Sequence, residues 1–422
     1  MIVTLAYGDN GLDVELPDDR TTVIEPRFLP GLPDEDGALK TAIRNPIGTR
    51  PLRQLVAAHQ TVAISVCDIT RPAPTRLMLP ALLRELEHVP PEQVTILIAT
   101  GTHRANTPDE LDAMLGPGIA GRYPVVNHDA FDDANLKLAG ETSDGVPILL
   151  NRRWVDADVR ITAGFVEPHF FAGFSGGPKM VAPGLAGFAT TMHLHNAARI
   201  GSPKATWGIT EGNPVHDTVR EIAAITGVDF TLDVTINRDR QITNAYAGNL
   251  LKVHAAACQA SRQTVMQPVS RPFEVVVTTN SGYPLDQNLY QAVKGMSAAA
   301  QIVSEGGTII CAAECRDGVP EHGEYGRILR EGKSPADMLR TIESATTTTH
   351  DQWQVQIQAK VQMRAEVLLK SSYLTPDQVR AAHLEPVEDV AKAVTAALTR
   401  YGPGARVCVL PEGPQTVPYL KT

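Results

Sequence analysis

Two short apolar runs, Thr61-Val-Ala-Ile-Ser-Val66 and Val94-Thr-Ile-Leu-Ile-Ala99, constrain this chain more than any other feature. Each is rich in β-branched residues, too short for a helix, and apolar at successive rather than alternate positions. Such a strand must be covered on both faces, which is the condition of a strand inside a parallel sheet. Between the two, from about Thr75 to Glu87, Leu77, Leu79, Leu82, Leu83 and Leu86 recur at helical spacing. Strand, helix, strand in that order predicts an α/β fold, with doubly wound, mostly parallel sheets and helices on both faces. Asp158–Ala163 and Phe230–Ile236 are expected to add strands, and the runs Ile2–Ala6, Leu12–Leu16 and Thr22–Glu25 read as a small antiparallel piece.

A chain of 422 residues exceeds the roughly 250–300 that one core fills, so two domains are expected. Around Gln267-Pro268 and Arg271-Pro272 the sequence turns polar, and a new strand opens at Phe273-Glu-Val-Val-Val-Thr278. A helix over 289–303, a strand over 307–312, helices over 335–344, 352–366 and 387–399 and a strand over 406–410 follow. The boundary is placed there, giving domains over 1–268 and 269–422.

Lys and Arg number 38 against 47 Asp and Glu, a net charge of -9. That excludes the broad basic surface by which nucleic acid or an anionic membrane is bound. An anionic ligand must be held by a few placed cations or backbone amides. The five cysteines are odd in number and form no C-x-x-C pair, which fits a reduced compartment. Cys311 and Cys315 end the apolar run Thr308-Ile309-Ile310 and read as structural. With no basic leader before a long apolar stretch and no apolar run of about 18 residues, a soluble cytoplasmic protein is expected.

Ligands of open α/β sheets bind beyond the carboxyl ends of the strands. The first buried run ends in Asp68-Ile69-Thr70-Arg71-Pro72 and the second in Thr100-Gly101-Thr102-His103-Arg104, so Asp68, Arg71 and His103 are expected on one rim. The densest polar stretch holds His169, Ser175-Gly176-Gly177 and Lys179, with His193 and His195-Asn196 shortly after. Ser-Gly-Gly before a lysine offers backbone amides and a cation to a phosphate. It is not a Walker motif, because the glycine spacing differs and Met180 stands where Ser or Thr is required. His169, His193 and His195 also allow a zinc-dependent hydrolase or lyase, although no H-E-x-x-H is present. A nicotinamide dehydrogenase lacks its G-x-G-x-x-G, and a non-catalytic binding protein is the third reading. Farther on, Gln291 and Lys294 in Tyr290-Gln291-Ala292-Val293-Lys294-Gly295 share a helix face suited to a carboxylate. Phe170, Phe171, Phe174 and Trp353 either line a side-chain pocket or pack.

Taken in order, these segments resemble the nickel-pincer lactate racemase family, from Asp68 to at least Trp353. The most specific part is the Pro-His-x-x-x-Gly-x-Ser-Gly-Gly-x-Lys run ending at Lys179, followed by His195-Asn196. Asp-x-Thr-Arg-Pro, Gly-Thr-His-Arg and Tyr-Gln-Ala-x-Lys-Gly add to it. The resemblance implies a racemase or epimerase of small 2-hydroxy acids working by hydride transfer. Its cofactor would be the nickel complex of pyridinium-3,5-bisthiocarboxylic acid mononucleotide, matured by cofactor-synthesis proteins. Carried over, Lys179 is the covalent tether and His195 the protein ligand to nickel. Asp68, Thr70, Arg71, Ser175, Gly176 and Gly177 surround the nucleotide, and His103 and His169 are the acid–base pair. Arg71, Tyr290, Gln291 and Lys294 hold the substrate, which places the active site in an inter-domain cleft.

Overall fold

In the computed structural model, which describes residues 1–321 and 323–421, both apolar runs are strands of one six-stranded sheet. Its strands are β1 (Val62–Cys67), β2 (Val94–Ala99), β3 (Val125–Asn127), β4 (Val159–Phe165), β5 (Phe230–Ile236) and β6 (Ile242–Gly248). All six residues of β1 are buried. Val62, Ile64 and Val66 pack with Met78, Leu79 and Leu82 of helix α1 (Thr75–Glu85), and with Leu39 and Ile43 of the helix Glu35–Arg44. On the opposite face Ala63 and Leu97 meet Trp154, Leu194, Val219 and Ile222. Helices on both sides are the reason the strand sequence does not alternate. Leu77, expected on the apolar side of α1, is 36% exposed, and Met78 takes the buried position.

The strand order is β6-β5-β4-β1-β2-β3, parallel throughout except for the antiparallel β5–β6 pair. From β1 the chain winds outward through β2 and β3, then returns to the other side of β1 for β4 and β5. The direction of winding therefore switches between β1 and β4, and the crevice at such a switch point is where α/β sheets bind ligands. Asp68 follows β1, His103 follows β2, and the segment with His169 and Lys179 follows β4.

This sheet belongs to a unit made of Phe28–His195 and Lys204–Gln263. The other unit comprises Met1–Arg27, Asn196–Pro203 and the chain from Thr264 onward. Its sheet contains β7 (Phe273–Thr279), β8 (Val303–Ala312), β9 (Glu366–Lys370), β10 (Glu385–Pro386) and β11 (Val407–Leu410). They run in the order β10-β9-β8-β7-β11, and Thr21–Val23 forms the last strand beside β11. The first 27 residues, expected within a domain over 1–268, thus sit with the C-terminal part. Ile2–Leu5 and Leu12–Glu15 are the antiparallel pair expected, but Thr21–Val23 is parallel, with Thr22 opposite Cys408. A strand's periodicity does not disclose its partner, and here the partner is an open edge hundreds of residues away. No helix among the described residues is long and apolar enough to cross a membrane.

In the second unit, helix α2 (Leu289–Ala299) carries the Tyr-Gln-Ala-x-Lys-Gly motif and is capped by the Asn288 side chain, which accepts from the Gln291 N–H at 3.0 Å. Gly295 lets α2 lie against the end of β7: a Cβ there would run into the Thr279 carbonyl oxygen. The Gly295 N–H donates to Asn280 Oδ1 at 3.2 Å. Gly295→Ala is expected to cost about 1–3 kcal/mol by overpacking, read as a lower Tm in a thermal melt.

Candidate active site

The β1–β2 end holds a carboxylate–imidazole pair. His103 Nδ1–H donates to Asp68 Oδ2 at 2.7 Å, and the Thr70 hydroxyl donates to Asp68 Oδ1 at 2.8 Å. Asp68 is only 3% exposed, whereas His103 reaches solvent. Burial alone would push the Asp68 carboxyl up. The His103 hydrogen bond, the His103 and Arg71 charges and the Thr70 hydroxyl outweigh it and hold the group below the usual carboxylate range. With its Nδ1 proton directed to Asp68, neutral His103 presents Nε2 as a lone pair. The sequence places Asp68 and His103 on one rim; the hydrogen bond between them is what the structure adds.

The segment after β4 is braced against the same strand ends. The Ser65 hydroxyl donates to the Met180 carbonyl at 2.7 Å, and the Gly101 N–H donates to the Gly184 carbonyl at 3.0 Å. Pro168–His169 pairs with Gly173–Phe174 in a tight hairpin. Inside it, His169 Nδ1 accepts from the Ala172 N–H at 3.2 Å and from the Phe171 N–H at 3.5 Å. A neutral ring that accepts at Nδ1 carries its proton on Nε2. The two expected acid–base histidines are therefore held in opposite tautomers, one offering a lone pair at Nε2 and the other an N–H.

Phe171 gathers the remaining groups. Its ring lies 4.5 Å from the His169 ring and 5.3 Å from the His195 ring, both edge-on, and the Lys179 ammonium sits over it at 5.8 Å from the centroid. The geometry of the last contact is cation–π. His195 is 7% exposed, and its Nδ1–H donates to the Thr191 carbonyl at 2.8 Å. That bond fixes the tautomer with the proton on Nδ1, an arrangement also found in metal-ligating histidines. His193, two residues earlier, lies exposed. Among the described residues no three His, Cys, Asp or Glu side chains stand where they could share a metal ion. The zinc trio of His169, His193 and His195 is thus not assembled, because helical geometry turns His193 away from His195.

The Ser-Gly-Gly stretch is tied into its own fold. The Ser175 N–H donates to the Glu167 carbonyl at 2.9 Å, and the Ser175 hydroxyl donates to the Phe165 carbonyl at 3.0 Å. The Gly177 N–H donates to Asp233 Oδ1 at 3.3 Å. The amides of Ser175 and Gly177 are thereby committed within the fold. Glycine is required because both Gly176 and Gly177 have positive φ; a Cβ would lie 2.7 Å from the Phe165 oxygen at the first and 2.5 Å from the His254 ring at the second.

Asp233 went unnoticed in the sequence, although an acid inside Phe-Thr-Leu-Asp-Val-Thr-Ile is an anomaly. It is fully buried, its Oδ2 has no hydrogen-bond partner, and burial pushes the carboxyl up to about 7 against the smaller effect of the Gly177 N–H. A raised carboxyl pKa means that the folded state keeps the proton longer than the unfolded chain does. Stability from this group is therefore intact below the ordinary carboxylate range and declines as pH rises toward 7. Asp233→Asn is expected to abolish that decline, a difference of a few kcal/mol between acid and neutral pH, measured by denaturant unfolding across pH.

In the other unit Tyr290 is fixed by its neighbours. Trp353 Nε1–H donates to Tyr290 Oη at 3.1 Å, Tyr290 Oη–H donates to Asp351 Oδ1 at 3.3 Å, and the Gln354 amide donates to the Tyr290 carbonyl. Gln291 and Lys294, one turn apart on α2, are both half-buried. Trp353 thus orients a tyrosine, while Phe174 is wholly buried as core.

Models of the lactate racemase N-terminal domain and the lactate racemase C-terminal domain match residues 7–208 and 269–417. The lactate racemase of Thermoanaerobacterium thermosaccharolyticum is 35% identical over 418 residues, 97% of each chain. That of Lactiplantibacillus plantarum is 36% identical over 382 residues, 90% of each. The solved structure of the Thermoanaerobacterium thermosaccharolyticum lactate racemase apoprotein superposes with a TM-score of 0.93 at 33% identity and covers both chains completely. A Thermotoga maritima structure shares the fold, with a TM-score of 0.70 at 21% identity over 93% of this chain and all of that one.

Proposed function

The chain belongs to the lactate racemase family and is an isomerase, and from that premise we propose that it interconverts the enantiomers of lactate or a similarly small 2-hydroxy acid. The observation that carries the mechanism is the pair of opposite tautomers at His103 and His169. Direct removal of the C2 proton would leave a poorly stabilised carbanion. Loss of hydride coupled to loss of the hydroxyl proton gives a planar 2-oxo acid instead. His103 Nε2 takes the hydroxyl proton of one enantiomer, and the Asp68 carboxylate stabilises the imidazolium formed. His169 Nε2–H supplies the proton when the 2-oxo acid is reduced on its other face. In the reverse direction the two residues exchange roles.

The residues present fit the nickel-pincer pyridinium nucleotide. Lys179 would carry it as a covalent tether, and His195, with Nδ1 bonded to Thr191, would give the metal its protein nitrogen. Bound there, the group supplies a reversible hydride acceptor. Thr70 and Arg71, exposed beside Asp68, are the side chains we assign to its phosphate. Arg71, Tyr290, Gln291 and Lys294 are assigned to the substrate carboxylate and hydroxyl, and maturation by cofactor-synthesis proteins in the cytoplasm goes with this reading. The test is a chiral assay of lactate and a panel of 2-hydroxy acids, using protein produced together with the cofactor pathway. Either enantiomer is expected to run to an equal mixture, since the two have the same free energy in water. Protein that carries the adduct on Lys179 yet interconverts no acid of the panel would overturn the proposal.

A further inference from the structure

Behind the segment that bears His169 and Lys179 lies a cavity of about 240 Å³, bounded by the helices Pro214–Thr226 and Leu250–Val265. Its lining includes Thr210, His216, Arg220, His254, Gln259 and Arg262, none of which takes part in the reaction described above. We propose that it binds a small oxyanion of the phosphate class, gripped by Arg220 and Arg262 above the stacked His216 and His254 rings.

The two imidazoles form the floor. Both are buried, with ring centroids 5.4 Å apart and planes within 16° of parallel. His216 Nδ1–H donates to the Ala172 carbonyl at 3.1 Å and His254 Nε2–H to the Ser175 carbonyl at 2.9 Å, which ties the floor to the back of the segment in front. Burial first, then the facing His254 ring and the Arg220 and Lys179 charges, hold His216 down to about 3, and burial with the same two charges holds His254 down to about 4. The rings are neutral at physiological pH, and the Arg220 and Lys179 charges act on both.

The arginines are placed for an added anion. Arg220 stands 3.9 Å from Glu211 and 3.8 Å from Asp217, beyond the roughly 2.7–2.9 Å of a charge-assisted hydrogen bond. Glu211, the carboxylate of the lining, is 93% exposed. Arg262 is anchored by donation to the Gly208 carbonyl and by stacking on Phe174, 5.5 Å from its centroid. Two guanidiniums on opposing helices match an ion with several equivalent oxygens better than a single-point anion. The volume, below the roughly 300–1,000 Å³ of sites for larger organic ligands, suits a free ion or a small ester.

Titration calorimetry of the cofactor-loaded enzyme with inorganic phosphate tests this, because loading fills the nucleotide's own phosphate position. One saturable site is expected. Arg220→Gln and Ala255→Glu, the latter placing an acid at an exposed position of the wall, are each expected to weaken it by about tenfold or more while the melt without phosphate is unchanged. Displacement by glycerol phosphate would extend the site to esters, and failure to displace would confine it to the free ion; both support the assignment. Absence of saturable binding in the millimolar range overturns it. So does binding that both variants leave intact, or binding seen before loading and lost after it.

Discussion

Lys179→Arg is expected to yield a folded protein that gains no covalent mass at that position and loses racemase activity by at least about 10⁴-fold. Arginine preserves the positive charge and the contact with the face of Phe171, so the cation–π interaction survives. What it cannot do is form the acyl-type bond of an amine, because the guanidinium does not give up its proton. The variant therefore separates a lysine needed as a cation from one needed as a nucleophile. A tethered reactant enjoys effective molarities of about 10⁵–10⁸ M over a free one, which sets the scale of the loss. Intact-mass spectrometry and the chiral assay decide it, and retained activity without the adduct would show that Lys179 is only electrostatic.

His103→Ala should lower kcat/KM by about 10²–10⁴-fold, the usual contribution of a positioned general base. Asp68→Asn is the more informative partner. Its Oδ1 can still accept from His103 Nδ1–H, so the ring stays in place while the stabilising charge disappears. A drop of about 10–100-fold is expected, as for other residues that orient and support a working histidine. Asp68 is held below the ordinary carboxylate range, so its charge is complete throughout the neutral region. The Asp68→Asn loss should accordingly be similar at every pH from 6 to 8 in a pH–rate comparison with the parent enzyme. A loss confined to one end of that range would mean that Asp68 itself titrates during the reaction.

The strands at the heart of the site were readable because continuous apolar runs have only one stable setting. The polar residues that follow them were readable for the same reason, since a buried strand can release polar side chains only at its ends. What one dimension hides is adjacency. Asp68 and His103 meet because β1 and β2 lie in register, with Cys67 opposite Ala99; the shared rim was legible, but the hydrogen bond across it was not. The Ser175–Gly177 amides looked open because their acceptors, the Glu167 carbonyl and the Asp233 carboxyl, are not visible in the motif. Thr21–Val23 was misplaced because its partner strand lies near the other end of the chain.

Phe171 carries no heteroatom, yet the His169 and His195 rings and the Lys179 ammonium are all set against its ring. A change there displaces His169, Lys179 and His195 together, and the penalties of altering any two of the four will not add. Such a hub narrows the evolutionary routes by which the site can change. Mutations that shift His169 also disturb Lys179 and His195, the residues proposed as tether and metal donor, so the three must diverge as a block. New substrate preferences are more easily reached from side chains outside the ring's neighbourhood than from within it.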